Sequence, residues 1–251
     1  MIDDTRSPVI ALLADIHANI EALDACLKHA GQSGATRYAF LGDLVGYGAD
    51  PQRVVETVMR YQSGGALVVQ GNHDAAVVTR EGGMSDQAAE ARDWTRDALD
   101  RLAKDWLGSL PLCVREDTLC FVHASAATPH RWEYVEDAAR AWKSIQAAGT
   151  TYTFSGHVHH QALYFESTMG KVARFVPVPG SAVPVPDHRR WLTIAGSAGQ
   201  PRDGNPAAAY ALFDEVHKTI TFHRVPYDHL TAARKIHAAG LPDLLAWKGP
   251  R

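Results

Sequence analysis

Five short polar motifs follow short apolar runs of this chain, and their residue types are those of a metal-binding site. Two of their aspartates, one asparagine and several histidines make a possible set of metal ligands. Each apolar run predicts a β-strand, and the ends of strands in an α/β sheet gather along one edge. We therefore expect the motifs to converge as ligands for a pair of metal ions. In chain order they are Asp15-Ile16-His17, Gly42-Asp43, Gly71-Asn72-His73-Asp74, His123 and Gly156-His157-Val158-His159.

The spacing within two of the motifs supports this interpretation. In extended backbone, residues i and i+2 project to the same side, so Asp15 with His17, and His157 with His159, can each bind one centre. Imidazole and carboxylate ligands favour Mn, Fe, Zn or Ni, whereas a site of oxygen ligands alone would indicate Mg or Ca. Two divalent ions, two carboxylates and a bridging hydroxide leave a charge of roughly +1, which attracts phosphate.

Each motif taken singly also has an ordinary structural interpretation. Asp15 and His17 could be a helix cap beside a surface histidine. The segment from Gly71 to Asp74 could be a turn, because glycine, asparagine and aspartate all favour turns. The occurrence of all five motifs in order, each after a predicted strand, favours a metal site instead.

In these motifs the chain resembles the calcineurin-like metallophosphoesterases, whose pattern runs D-x-H, G-D, G-N-H-D/E, H and G-H-x-H. The segments 15–19 and 42–48 look like the small bacterial phosphodiesterase branch. The motifs cover roughly Val9 to His159, and a weaker match spans 196–203. The resemblance implies that Asp15, His17 and His159 bind the first metal. It implies that Asn72, His123 and His157 bind the second metal, and that Asp43 bridges the two.

The resemblance also implies a mechanism and leaves several substrates open. His73 would protonate the leaving oxygen while a metal-bridging hydroxide attacks phosphorus. The implied function is hydrolysis of phosphodiesters or small phosphomonoesters with two divalent ions, most readily Mn or Fe, with Zn or Ni as alternatives. The other hypotheses are a dinucleoside polyphosphate or phosphoprotein phosphatase and a non-enzymatic metal-binding interaction scaffold. The second motif lacks the Asp-Arg pair of protein Ser/Thr phosphatases, and no residue that orients His73 is identified.

Arginines and a tryptophan outside the motifs are candidates for substrate contacts. Arg202 or Arg131 could bind a phosphate through the guanidinium group, and Trp191 could stack on a base. An exposed loop arginine and a packing tryptophan explain the same residues equally well. Their assignment to the substrate is therefore a hypothesis.

The elements that position the motifs predict one α/β domain over residues 1–251, with a C-terminal helical tail at about 227–251. A helix is expected to begin near Asn19, and a long one to span Ser85 to about Leu107. The second half is predicted to be mainly antiparallel strands. The resemblance implies a four-layer α-β-β-α sandwich of two packed mixed sheets.

Composition limits the partners and the compartment. The chain has 251 residues and a formal net charge of −3, without a basic stripe, so nucleic acid is not expected as a partner. No apolar run is long enough to predict a membrane span. The three cysteines cannot form a complete disulfide framework, and we expect free thiols and a cytoplasmic protein, although a turn at 116–117 would place Cys113 opposite Cys120. The sequence leaves the oligomeric state unknown.

Overall fold

The computed structural model describes residues 8–79 and 86–242, which form two β-sheets with helices on their outer faces. The helices are α1 Ile20–Gln32, α2 Pro51–Ser63, α3 Asn72–Thr79, α4 Asp86–Ala98, α5 Arg101–Ser109, α6 Ala138–Ala148 and α7 His229–Ala238. The strands are β1 Val9–Leu13, β2 Arg37–Phe40, β3 Leu67–Val68, β4 Cys113–Glu116, β5 Leu119–Val122, β6 Tyr152–Ser155, β7 Ala162–Glu166, β8 Val172–Phe175, β9 Ala182–Pro184, β10 Trp191–Ile194, β11 Ala208–Asp214 and β12 Thr219–Val225.

The first sheet has the strand order β3-β2-β1-β11-β12-β9. Its central strand, β1, pairs in parallel with β2 and antiparallel with β11. All five residues of β1 are apolar because both faces of a central strand are covered. Since β1, β2 and β3 run in the same direction, the segments that follow them leave the sheet at one edge.

The second sheet has the order β4-β5-β6-β10-β7-β8. The segments that follow two of its strands reach the same edge of the sandwich. Strand β6 lies between β5 and β10 and is parallel to both. His123 directly follows β5, and Gly156 directly follows β6. The two sheets therefore bring the last two motifs to face the first three.

The two sheets pack against each other through a continuous apolar core. Between them, Leu12 of β1, Phe154 of β6 and Phe213 of β11 are fully buried, and the rings of Phe154 and Phe213 lie 5.2 Å apart. Residues of α1, α2 and α5 pack on the outer face of the first sheet, and α6 packs on that of the second. These layers confirm the predicted α-β-β-α sandwich of two mixed sheets.

Strand β10 corrects our interpretation of Trp191. The stretch around it is rich in proline and glycine, but β10 is a central strand of the second sheet. Trp191 is 6% exposed, packs against Phe165 with ring centroids 5.5 Å apart and donates its indole N–H to the carbonyl of Pro186. A buried ring with its N–H already bonded cannot stack on a substrate base, so that hypothesis is wrong.

The predicted long helix is two helices. Its expected start, Ser85, lies outside the described residues, and the remainder is divided between α4 and α5. The division occurs at Asp100, whose carboxylate caps α5 by accepting the N–H of Ala103 at 2.7 Å. An aspartate inside a helical pattern competes with the backbone for hydrogen bonds, and it starts a new helix here.

The hairpin of β4 and β5 has a register one residue away from the expected one. Glu116 pairs with Leu119, so the turn lies at Asp117 and Thr118, and Cys113 is diagonal to Cys120 rather than opposite. Their sulfurs are still 3.5 Å apart, and both cysteines are free thiols. Asp117 has φ +41°, a left-handed conformation that aspartate tolerates in a tight turn.

The predicted C-terminal tail corresponds in part to α7, while residues 243–251 lie outside the described part of the chain. Helix α7 docks on α1, where Lys235 forms ion pairs with Glu21 and Asp50. Among the helices described, none combines the length and apolarity that crossing a bilayer requires.

Candidate metal centre

Seven side chains meet where the segments after β1, β2, β3, β5 and β6 converge, and we call them the metal cradle. All of them are buried except Asn72, which is partly exposed. The structure thus brings together residues from all five sequence motifs. The metal cradle consists of Asp15, His17, Asp43, Asn72, His123, His157 and His159.

One half of the metal cradle is formed by Asp15, His17 and His159. Their ligand atoms lie within 4.8 Å of one another. His17 Nε2 is 3.2 Å from His159 Nε2, and His159 Nε2 is 3.5 Å from Asp15 Oδ1. Two imidazole nitrogens and a carboxylate oxygen therefore point at one small volume.

The other half contains His123, His157 and Asn72. His123 Nε2 lies 3.1 Å from His157 Nδ1 and 3.1 Å from the amide oxygen of Asn72. Asn72 reaches this position because it is the first residue of α3. The sequence predicted a metal ligand here, with a turn as the alternative, and the backbone is instead the first turn of a helix.

Asp43 lies between the two halves. Its Oδ2 is 3.8 Å from His17 Nε2 in one half and 3.3 Å from His123 Nε2 in the other. Its second oxygen, Oδ1, accepts the backbone N–H of His73 at 2.8 Å. One carboxylate oxygen thus faces both halves, while the other is held in place by the start of α3.

The backbone of the metal cradle differs from the extended conformation that we expected. Asp15, His17, Asp43, His157 and His159 all have φ between +48° and +68°. The side chains at i and i+2 therefore converge through left-handed turns and not through strand alternation, and this part of our reasoning was wrong. Each non-glycine residue in this conformation raises the free energy of the folded state by about 1 to 3 kcal/mol, so the surrounding hydrogen bonds must enforce the conformation.

Two motif glycines permit backbone segments to approach the carboxylates closely. A Cβ on Gly71 would collide with the backbone and side chain of Asp43. A Cβ on Gly156 would lie 2.5 Å from the Cβ of Ala14 and 2.9 Å from Asp15 Oδ2. With glycine at 156, the N–H of His157 can donate to both oxygens of Asp15, at 3.1 and 2.9 Å.

The metal-facing histidines are oriented by backbone carbonyls. A carbonyl only accepts, so the ring nitrogen beside it must carry the proton, and the second nitrogen is left with a free lone pair when the ring is neutral. The four contacts are His17 Nδ1 to Val45 O (3.3 Å), His123 Nδ1 to Leu41 O (2.7 Å), His157 Nε2 to Trp132 O (2.9 Å) and His159 Nδ1 to Gln200 O (2.7 Å).

This arrangement fits bound cations. Burial lowers the pKa of His157 and of His159 to about 3, so both rings are neutral at ordinary pH. In the first half, the two facing nitrogens of His17 and His159 are both lone-pair donors at 3.2 Å, because each ring has its proton on the carbonyl side. Two lone pairs at that distance repel unless a positive ion lies between them, and imidazole is a common ligand of transition metals.

The carboxylates and His123 share protons in the absence of metal. Burial raises the pKa of Asp15 to about 7. Burial also opposes ionisation of Asp43, but His123 and His73 outweigh it and hold the pKa of Asp43 well below its usual range. For His123, burial is outweighed by Asp43 and Asp15, which raise its pKa to about 9. Without metal, the positive charge of protonated His123 therefore balances the carboxylates, and a bound metal ion would take over that role.

His73 is positioned by ring packing. Its ring lies 4.4 Å from that of Tyr47 and 5.0 Å from that of His17, and Gly46 leaves space for it. In the described part of the chain, no carboxylate hydrogen-bonds this ring, so the orienting group that the sequence left unidentified is the aromatic packing itself. Burial lowers the pKa of His73.

Asp74 has a structural role that sequence reasoning did not assign. Its buried carboxylate accepts the backbone N–H groups of Leu44, Val45 and Gly71, at distances between 2.9 and 3.2 Å. These bonds join the segment after β2 to the segment after β3 and so hold Asp43 beside Asn72. Its position inside the third motif was the only signal in the sequence.

The two candidate arginines differ in their relation to the metal cradle. Arg202 is exposed, donates to the side chain of Gln200 at 3.0 Å, and its charge contributes to lowering the pKa of His73 and His159 after the larger effect of burial. Arg131 ends the short 3-10 helix Pro129–Arg131 and its side chain points to an exposed position. A role in substrate binding remains a prediction for both.

Comparisons with known proteins place this geometry in a family. The family model of the calcineurin-like phosphoesterase superfamily domain matches residues 9–218. A metallophosphoesterase from Sphaerobacter thermophilus has 34% sequence identity and a TM-score of 0.85, with 96% of this chain and 97% of that chain covered. An uncharacterized protein of Methanocaldococcus jannaschii is 33% identical over 254 residues, which cover 97% of this chain and 96% of the relative.

A more distant structure shares the fold alone. The hypothetical protein from Pyrococcus horikoshii OT3 has 18% identity and a TM-score of 0.78, with 95% of this chain and 96% of that chain covered. The family match spans β1 to the turn after β11 and includes every residue of the metal cradle. The chain therefore belongs to the calcineurin-like phosphoesterase superfamily, a metal-dependent family, and is a phosphohydrolase.

Proposed function

We propose that this protein is a binuclear metal-dependent phosphoesterase that hydrolyses phosphodiesters or small phosphomonoesters. The observation that carries the proposal is the position of Asp43, whose Oδ2 faces His17 at 3.8 Å and His123 at 3.3 Å. A carboxylate oxygen between two sets of nitrogen ligands is suited to bridge two cations. Family membership supports the reaction class.

The residues that would bind the metals favour particular ions, and those ions would supply a particular chemistry. Asp15, His17 and His159 would hold one ion, Asn72, His123 and His157 the other, and Asp43 both. Mixed nitrogen and oxygen donors suit Mn or Fe, with Zn or Ni as alternatives. Two such ions supply Lewis acidity, which polarises a phosphate and lowers the pKa of water.

His73 is the group that would deliver a proton to the leaving oxygen. It lies beside the metal cradle, 5.0 Å from His17 between ring centroids, and its backbone is fixed on Asp43. Burial lowers its pKa, which disfavours the proton that a general acid needs. A bound phosphate carries negative charge and would raise the pKa of His73 again.

Reconstitution with metals and a panel of esters tests this proposal. Metal-free protein is titrated separately with Mn²⁺, Fe²⁺, Zn²⁺ and Ni²⁺, and turnover is measured on bis-p-nitrophenyl phosphate, p-nitrophenyl phosphate and a dinucleoside polyphosphate. We expect turnover to reach its maximum at two equivalents of metal. A maximum at one equivalent would contradict the binuclear site, and the relative rates decide among diester, monoester and polyphosphate.

The proposal also covers the class of substrate and the cellular location of the protein. A net charge of −3 without a basic stripe supports small phosphoesters rather than nucleic acid as substrates. Three cysteines without a disulfide framework support a cytoplasmic location. Cell fractionation of the native protein tests the location.

A further inference from the structure

Two aromatic rings that contact histidines of the metal cradle and one arginine whose charge acts on it form a group that we call the rim. They are Tyr47, Tyr134 and Arg202. Tyr134 is 44% exposed, Arg202 is exposed and Tyr47 is partly buried. Tyr47 and Arg202 lie in the segments 42–48 and 196–203 that resemble the family, whereas Tyr134 lies outside them. None of the three is one of the proposed metal ligands.

Tyr134 covers one metal ligand with its ring. The rings of Tyr134 and His157 are stacked, with centroids 3.9 Å apart and planes inclined by 22°. The same segment holds His157 from the other side, because the carbonyl of Trp132 accepts its Nε2–H at 2.9 Å. Trp132 has φ +53°, which turns the chain so that both contacts are made within three residues. Tyr134 is thus fixed against the metal cradle while nearly half of its surface faces solvent.

Tyr47 contacts the metal cradle on the side of the other half. Its ring centroid lies 4.7 Å from that of His17 and 4.4 Å from that of His73. Its other side packs on a small apolar cluster that includes Ala91 of α4 and Ile236 of α7. Helices outside the sandwich therefore determine the position of this ring.

Arg202 acts on both tyrosines through its charge. Its guanidinium is held by Gln200 Oε1 at 3.0 Å, and its charge opposes the larger effect of burial on the pKa of Tyr47. Its charge acts on Tyr134 and on Asp15, opposing in both cases the larger effect of burial. The charge of Arg202 also acts on His17 and His159, so it reaches the first half of the metal cradle as well as both tyrosines.

We propose that the rim selects phosphoesters whose substituent carries a planar aromatic ring, such as a nucleoside or a phenyl group. This inference rests on the proposed function, because it assumes that the phosphate binds at the metal cradle. The substituent of that phosphate must then leave through the rim. There it meets the flat, half-exposed face of Tyr134, while Arg202 supplies a cation for the phosphate oxygens. Stacking of a ring on an exposed aromatic face improves binding by about tenfold.

Two phosphonates test the proposal without any reaction. Phenylphosphonate and methylphosphonate carry the same anionic head on a carbon–phosphorus bond that phosphoesterases do not hydrolyse, and they differ in the ring. Their dissociation constants are measured by calorimetry on protein loaded with Zn²⁺, with the metal content verified in each sample. In the unmodified protein we expect phenylphosphonate to bind about tenfold more tightly.

Variants separate the ring from the charge. Tyr134→Leu should bring the ratio of the two dissociation constants close to one, whereas Tyr134→Phe should preserve it. Arg202→Gln should weaken both phosphonates by a similar factor and leave the ratio unchanged. Trp142→Leu is the matched control, because Trp142 is also an aromatic residue that is 45% exposed, on α6. It should change neither constant.

The outcomes that overturn the proposal are specific. A ratio near one in the unmodified protein overturns it whatever the variants do, and so does a ratio that Tyr134→Leu leaves intact. If Tyr134→Leu fails to retain Zn²⁺, the NMR shifts of the Tyr134 ring in the unmodified protein replace it. They should move with phenylphosphonate and much less with methylphosphonate, and equal shifts overturn the proposal.

Failure of the rim and failure of the proposed function can be distinguished. If no phosphoester is hydrolysed at any metal content but the phosphonate ratio depends on Tyr134, the proposed function is wrong and the rim stands. If phosphoesters are hydrolysed and the ratio is near one, the proposed function stands and the rim is wrong.

Discussion

The metal cradle and the rim lie side by side but are constrained very differently. Each metal-facing histidine of the cradle is buried and held by a backbone carbonyl. In the rim, Arg202 is exposed and Tyr134 is half exposed. The contrast indicates that the proposed metal ligands are preorganised by backbone, whereas the groups that we propose to distinguish substrates are side chains on loops.

The backbone of the metal cradle also carries strain, which Tyr47 of the rim shares with φ +66°. Asp15 and Asp43 have φ +51°, and His157 and His159 have φ +68° and +64°. The hydrogen bonds that enforce these conformations join both sheets, as from His157 N–H to Asp15. Changes in the metal cradle should therefore affect both metals, while changes in the rim should affect only ligand binding.

Removal of the Asp43 carboxylate, the proposed bridge, should produce the largest effect. Asp43→Ala deletes the oxygen that faces both halves and the acceptor of the His73 N–H. We expect loss of metal from both positions and loss of turnover, measured by elemental analysis and an ester assay. Asp105→Ala, which removes an exposed carboxylate from α5, is the control. Full occupancy of two metals in Asp43→Ala would contradict the bridging role.

His73→Ala should separate the reaction from metal binding. His73 contacts the metal cradle without belonging to its ligand set, so both metals should remain bound. General acid catalysis contributes about 10² to 10⁴-fold and matters most for a poor leaving group. We expect a loss in that range on alkyl phosphoesters and a smaller loss on p-nitrophenyl esters. Unchanged rates on both, with metals intact, would exclude His73 as the general acid.

Protons released on metal binding test the electrostatics of the metal cradle. His123, with its pKa raised to about 9, and Asp15, with its pKa raised to about 7, both hold protons at low pH in the metal-free protein. Both must lose them to bind metal, so metal affinity should rise with pH up to about 9. Calorimetry in buffers of different ionisation enthalpy should find about two protons released near pH 6 and about one near pH 8. A pH-independent affinity would contradict this.

Gln200 offers the smallest and sharpest test, because one residue contacts both regions. Its backbone carbonyl holds His159 of the metal cradle, and its side chain holds Arg202 of the rim. Gln200→Ala keeps the carbonyl and deletes the amide. Loss of one hydrogen bond of about 1 kcal/mol predicts roughly fivefold weaker binding of methylphosphonate, with metal affinity unchanged. Gln200→Glu retains an acceptor for Arg202 but adds a negative charge that opposes the anionic ligand, so it should weaken methylphosphonate at least as much as Gln200→Ala does. Metal loss in either variant would show that the two regions are not separable.

Much of the fold was predictable because its strands are short apolar runs with polar residues directly after them. The helix predicted to begin near Asn19 does so, because the Asn19 side chain caps α1 by accepting the N–H of Ala22. The central strand Trp191–Ile194 was missed, because four residues between glycine- and proline-rich segments carry no reliable periodicity. Its identity depends on pairing with β6 and β7, which are distant in sequence.

The sequence by itself determined which residue types could bind metal and in what order they occur, because aspartate, asparagine and histidine after apolar runs are a local pattern. Tertiary structure alone decided how they point. Asp15 meets His157 across 142 positions of the chain, and its left-handed φ is imposed by bonds from distant segments. The stacking of Tyr134 on His157 and the bond from His159 to the carbonyl of Gln200 are likewise contacts between loops. No local periodicity encodes such contacts, since they exist only once the two sheets have packed.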